Sequence, residues 1–369
     1  MMKDKEFVTP FGLFSTIVVT VVGVGIFSYP RELSALVGNE GWIISIVSGV
    51  VSYLLIYMAY KALRANSYDK LYNILRRKFG RGIGSILALF FIVYNIFSVA
   101  TGMRIFIEVI KMYLLQKTPT EFLLIITILV GSYLLRGEID TLIKFNEISF
   151  WIMFVPIIFV LLFTLNRTDF TNILPVFNNS PIQYIWALNT SIFSFGGIGI
   201  IYTVLPFVKN KKGIKRAAFK GISFITIFYT LIVVFTLAVF SKEQTKILLW
   251  PTITMIKSIS IPGAFIERWE GVVMALWVIF YFTTFVNSYY LSADILRDMF
   301  SLKDVKLSSV LIVPFIYLIA LYPENIAELY DINSKVTPLL TLYSLVILPL
   351  ILFFRRSSER RVEEGEIRK

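Results

Sequence analysis

Apolar residues run along this chain in blocks of about twenty, each long enough to cross the roughly 30 Å hydrocarbon core of a bilayer as a helix. The pattern predicts ten such spans, at roughly 10–30, 41–60, 84–112, 121–135, 147–165, 185–207, 219–240, 270–295, 308–322 and 337–354. The third is long enough to tilt. No block alternates with the period of two that a transmembrane barrel needs. The expected fold is an all-α membrane protein in a single transmembrane domain covering 1–369, with a tail at 355–369.

Two blocks are interrupted in a similar way. The first contains "TVVGVGIFSYPREL", where Gly23 and Gly25 precede Pro30. The sixth contains "SIFSFGGIGIIYTVLPF", where Gly196, Gly197 and Gly199 precede Pro206. A glycine inside a helix costs about 1 kcal/mol relative to alanine. Ten spans divide into five and five. Because five is odd, the second half starts on the opposite side, so a repeat relating about 10–165 to about 185–354 must be inverted. Glycine-interrupted segments at corresponding positions of two halves point to a transporter-type binding site with discontinuous helices 1 and 6.

A break at mid-membrane frees backbone groups that cost several kcal/mol each in lipid unless they find partners. The N–H end near Gly25 and Ile26 suits a carboxylate. The carbonyl end near Gly23 suits an ammonium group or a cation. Two breaks side by side would make a pocket for a zwitterion. The alternative is that these glycines let helices pack closely, as small residues do in membranes.

Charge sharpens the topology. Only 16% of residues are charged, against about a quarter in a soluble domain. The net charge of +12 is unevenly placed. The connections on the N-terminal side hold 26 of the 36 Lys and Arg, and those on the other side hold 9. The excess predicts that both termini face the cytoplasm. The runs "RRKFGR" and "KNKKGIKR" then read as topology signals that touch lipid headgroups, with no nucleic-acid role. The first residues have no short apolar stretch with a cleavage site, so no removable signal peptide is expected. The connection at 241–269 is expected to form a lid on the outer ends of the spans, with some interfacial character.

Candidate chemistry is sparse. The absence of Cys and His excludes thiolate chemistry and removes the commonest metal ligand and neutral-pH proton carrier. No cofactor or metal is expected. Enzyme readings lack paired carboxylates, a His motif or a phosphate-binding loop. In span eight, Tyr281, Thr284, Ser288 and Ser292 fall on one helical face, flanked by Thr283 and Asn287. That stripe either lines a pocket or hydrogen-bonds neighbouring helices. Arg104 and Glu108, four apart in span three, read as a structural pair. Pro156 predicts a kink in span five.

These residues resemble a known family. "GVGIFSYP" is similar to the broken first span of the amino-acid/polyamine/organocation transporters. "LLWPTITMIKSISIPGAFIERWEGVVMALWVIFYFTTF", Leu248 to Phe285, resembles the signature of spore-germination receptor B subunits, as does "GMRIFIEVIKMYLL" in span three. The resemblance covers essentially the whole chain. It implies the inverted five-plus-five transporter fold and a nutrient germinant, usually an amino acid; the small or apolar candidate residues suit a small one. It also implies A and C subunits as partners in the spore inner membrane. Carried over, the pocket would use Gly23, Gly25, Val99, Gly197, Thr284 and Ser288, to which the residue pattern itself adds Ile26, Gly196 and Asn287 as candidates. Many relatives place a Glu shortly after the span-six glycine, where this chain has Ile200. The implied function is a germinant-sensing subunit. The alternatives are a cation- or proton-coupled amino-acid transporter and an ion-passing channel.

Overall fold

The structure, a computed structural model, describes residues 7–258 and 269–354. Its regular elements are helices. In chain order these are α1 (Pro10–Val21), α2 (Tyr29–Val37), α3 (Gly41–Ala65), α4 (Leu71–Tyr113), α5 (Thr120–Leu135), α6 (Glu138–Thr164) and α7 (Pro181–Phe193). There follow α8 (Ile201–Val204), α9 (Ile214–Ile247), α10 (Pro251–Lys257), α11 (Trp269–Phe300), α12 (Val305–Leu321), α13 (Ile326–Leu342) and α14 (Leu348–Phe354).

Among the described residues, five helical segments are long and apolar enough to cross a membrane alone, and seven if each bent pair counts as one. Two shorter apolar helices, α1 and α5, fall below that length. The expected tenfold division is therefore blurred where spans are interrupted or short. Large apolar side chains on α5 and α6 point outward, among them Leu129, Tyr133, Ile148, Trp151 and Phe159. An exposed apolar surface on this scale is unstable in water and matches lipid. The chain is an integral membrane protein.

The long helices contain breaks that hydropathy does not reveal. Within α4, Gly80 adopts φ +75°, a left-handed conformation that a side chain would strain. The basic stretch before it is thus a helix of its own, where a plain inner connection was expected. Ser241 in α9 has φ 61°, so the last residues of α9 bend into the 241–269 connection. There α10 lies buried through Pro251, Thr252, Ile253, Met255 and Ile256. The rest of the lid expectation, including Glu267 and Arg268, lies outside the described residues, as does the 355–369 tail.

Three sets of contacts fix how the two interrupted stretches lie. Val8, just before α1, forms a parallel bridge with Val208. At the other end of α1, the Thr20 carbonyl abuts Gly197. Beyond the first break, the Tyr29 hydroxyl hydrogen-bonds the Ser191 hydroxyl. Residue numbers rise on one stretch as they fall on the other, so residues 8–29 run antiparallel to residues 191–208.

Candidate functional site

The first interruption begins where α1 ends. Thr9 caps α1, its hydroxyl accepting the Gly12 N–H at 2.9 Å, with Pro10 in the first turn. The last α-helical bond runs from the Val22 N–H to the Val18 carbonyl at 2.9 Å. Gly23 is extended (φ −116°, ψ −152°), and a single 3-10 turn, Val24–Phe27, leads into α2. The Ile26 N–H reaches back to the Gly23 carbonyl at 3.3 Å, and the Ser28 N–H to Gly25 at 3.2 Å. The second interruption is gentler. α7 ends at Phe193, a 3-10 run spans Gly196–Ile200, and the segments on either side bend by 41°.

Hydroxyls from neighbouring helices take up the carbonyls that α1 leaves at its end. Thr283 donates to Val19 at 2.9 Å, and Thr284 to Thr20 at 3.0 Å. Tyr229 on α9 directs its single hydroxyl proton between the carbonyls of Val21 (3.1 Å) and Ser194 (3.2 Å), a shared bond that joins the two breaks through one oxygen. Beyond the break, Thr252 on α10 donates to the Ile26 carbonyl at 2.8 Å. Such partners remove the cost of unpaired backbone in an apolar interior.

Space explains the glycines better than backbone freedom, because none of the five adopts a left-handed φ. A Cβ at Gly23 would lie 2.6 Å from the Thr284 hydroxyl. At Gly197 it would strike the Thr20 carbonyl oxygen at 2.7 Å, and at Gly196 the Tyr94 hydroxyl at 2.6 Å. At Gly199 the nearest atom is on the Phe91 ring, 3.3 Å away. Gly25 is different. It is exposed, and a Cβ there would meet nothing within 4 Å.

Gly23, Gly25, Ile26, Gly196, Gly197 and Thr284 therefore gather around the two breaks. Val99 is buried, and its carbonyl accepts from the Tyr281 hydroxyl at 2.9 Å. Asn287 points elsewhere. It exchanges amide hydrogen bonds with Asn146 on α6 (2.8 and 3.1 Å), and Asn146 also reaches the Thr16 hydroxyl at 3.2 Å. Ser288 lies one turn beyond Thr284, its carbonyl accepting from Ser292 at 3.0 Å. The stripe on α11 thus hydrogen-bonds its neighbours at Tyr281 and Thr284. Arg104 pairs with Glu108 at 2.8 Å and also donates to the carbonyls of Ala320 and Glu324, clamping α4 to the end of α12.

Several residues at the site carried no sequence signal. Tyr229, Tyr29 and Ser191 become partners only through long-range packing. The same holds for a polar group outside the first break. Glu32 on α2 lies half-buried beside Ser28. Tyr330 on α13 sits close to Ser28, Glu32 and Trp250, and Arg31 stacks over its ring at 4.8 Å.

The architecture and sequence have known counterparts. A family profile described as "Spore germination protein" matches residues 7–329. Spore germination protein A2 of Bacillus subtilis is 27% identical over 98% of this chain and 99% of its own length. Spore germination protein B2 of the same organism is 24% identical over 100% of both chains. GerQB of Bacillus cereus is 25% identical over 93% of this chain and 94% of its own. Among solved structures, a Na+-coupled sialic acid symporter superposes with a TM-score of 0.70 at 14% identity, covering 95% of this chain and 79% of the other. Mhp1, a nucleobase-cation-symport-1 family transporter, gives 0.66 at 13% identity, covering 98% and 94%. The chain shares the fold of these transporters.

Proposed function

The chain belongs to the spore germination protein family, and on that premise we propose that it is the germinant-sensing subunit of a nutrient receptor. In this reading it crosses the membrane ten times as two inverted sets of five. A small amino acid binds at the breaks of the first and sixth crossings. The protein sits in the spore inner membrane with both termini in the cytoplasm, and A and C subunits respond to its state.

The observation that carries the reading is the open face at Gly25, set within a stitched pair of antiparallel interrupted stretches. Backbone N–H groups at the start of a helix favour a carboxylate. A missing side chain lets the ligand reach them. Sensing then requires that the ligand prefer one arrangement of the bundle over another, since equal affinity for both shifts nothing. Tyr229 is well placed to couple the breaks, because one hydroxyl holds a carbonyl from each.

The test is the germination response of spores to a panel of amino acids, with the natural chain and with Gly25→Leu. Loss of response with normal protein in the membrane supports the reading. An unchanged response refutes it.

One observation favours a second reading, a cation-coupled amino-acid transporter. Thr283 and Thr284 bring two hydroxyl oxygens against the carbonyls of Val19 and Thr20, oxygen ligands of the kind that suit a hard cation, with the Met153 sulfur 3.8 Å from the Thr283 hydroxyl. Concentrative uptake of labelled amino acids into proteoliposomes, driven by a Na+ or proton gradient, would favour the transporter. Saturable binding without flux favours the sensor.

A further inference from the structure

We propose that the seam between the end of α3 and the start of α9 is a site for an anionic phospholipid. Lys61 and Lys215 hold its phosphate, and an apolar stripe of α3 receives its acyl chains.

Two basic stretches far apart in sequence meet at this seam. Neither residues 57–66, near the end of α3, nor residues 209–220, which lead into α9, contain an Asp or Glu. The Lys61 ammonium lies 4.7 Å from the centroid of the Tyr57 ring. The Lys215 ammonium lies 5.3 Å from the same ring and 5.5 Å from the Phe219 ring. The two charges are thus at most about 10 Å apart, a Debye length at 0.1 M salt. The aromatic floor beneath them is fixed. Tyr57 and Phe219 have centroids 6.1 Å apart, Tyr53 lies 5.2 Å from Phe219, and the Tyr53 hydroxyl donates to the Phe219 carbonyl at 3.2 Å.

Attraction to the ring faces holds each lysine in place, but it leaves two like charges facing one another. Exposed lysines elsewhere find a carboxylate one turn away, as Lys144 does with Asp140 and Lys335 with Asp331. Among the described residues, neither Lys61 nor Lys215 makes an ion pair. An anion between them offsets their repulsion and accepts a charge-assisted hydrogen bond from each.

The surface below the lysines says what carries the anion. Val47, Val50, Leu54, Tyr57 and Lys61 are spaced three and four apart, so they form one stripe along α3. Val47, Val50 and Leu54 are 39%, 58% and 60% exposed, an apolar face open to lipid. The stripe therefore runs from cation through aromatic ring to hydrocarbon, the order of phosphate, glycerol and acyl chain in a phospholipid. A free phosphate would use only its top. A zwitterionic headgroup would bring its own ammonium against the lysines, with no nearby carboxylate to receive it. Basic pockets between membrane helices bind anionic headgroups through this chemistry. The Val8–Val208 bridge sets the beginning of the chain beside residues 209–220, so the lipid belongs to the leaflet on that side. Because α3 lies in the first half of the chain and α9 in the second, one lipid spans both halves.

The experiment offers the purified full chain equimolar phosphatidylglycerol and phosphatidylcholine with the same acyl chains. Native mass spectrometry counts the lipids retained, and a titration of each gives its affinity. The natural chain should prefer phosphatidylglycerol by about tenfold or more. Lys61→Gln/Lys215→Gln should lose the preference, and Lys61→Arg/Lys215→Arg should keep it. Lys212→Gln/Lys220→Gln removes the same charge from the same basic stretch and should leave the preference intact. All three double variants should match the unfolding temperature of the natural chain in phosphatidylcholine, since the four lysines are exposed. Equal loss in the two Gln variants overturns the proposal, because diffuse charge then accounts for binding. Displacement of the lipid by inorganic phosphate at equal concentration overturns it too, because the seam then takes the bare anion. Absence of any preference in the natural chain also overturns it.

Discussion

The two interruptions look alike in sequence, G-V-G-I before one proline and G-I-G-I before another, yet the structure uses them differently. At the second, Gly197 admits the backbone of α1, with the Thr20 carbonyl where a Cβ would stand, and Gly196 admits the Tyr94 hydroxyl. At the first, Gly23 admits Thr284, but Gly25 faces open space. Three of these glycines are there for close packing. The fourth leaves room that nothing in the chain fills. A shared motif thus splits into a contact surface and an opening, and the opening is where we propose that the ligand binds.

Substitutions at matched positions would break or sharpen this contrast. The largest effect is expected at Gly197→Val, which drives a side chain into the α1 backbone. It should cost about 3 kcal/mol, the upper end of overpacking penalties, and appear as a lower unfolding temperature and a poor membrane yield. Next comes Asn287→Leu, which strands the buried Asn146 amide. A cost of about 2 kcal/mol is expected. The double variant Asn146→Leu/Asn287→Leu should cost less than the two single variants added together, because no polar group is left unpaired. If Asn287→Leu proved neutral in stability but abolished ligand response, Asn287 would be a pocket residue after all.

Tyr229→Phe removes the single oxygen joining the breaks. It should cost about 1 kcal/mol in thermal unfolding. Its effect on ligand response should exceed that modest loss if coupling runs through this contact. The smallest effect is expected at Gly25→Ala, within about 0.5 kcal/mol, because the added methyl meets no atom. A large destabilisation there would erase the distinction between the two breaks.

Much of this was legible in the sequence, for definite reasons. Apolar block length reports membrane crossing directly, and the exposed belt on α5 and α6 agrees with it. The glycine pairs marked where regular helix gives way. What the sequence could not carry was the purpose of each glycine, which depends on what lies across from it. Periodicity placed Asn287 beside the polar stripe, but its partner Asn146 lies 141 residues away. Tyr229 sat in an apolar run with no motif around it. Gly80 and Ser241 break long helices through backbone angles that hydropathy does not register.

The most direct test is equilibrium binding of labelled amino acids to the purified chain, measured in parallel with thermal unfolding, for the natural sequence and for Gly25→Leu. The account predicts saturable binding to the natural chain and none to Gly25→Leu, at closely similar unfolding temperatures. Saturable binding of unchanged affinity to a well-folded Gly25→Leu chain would contradict it.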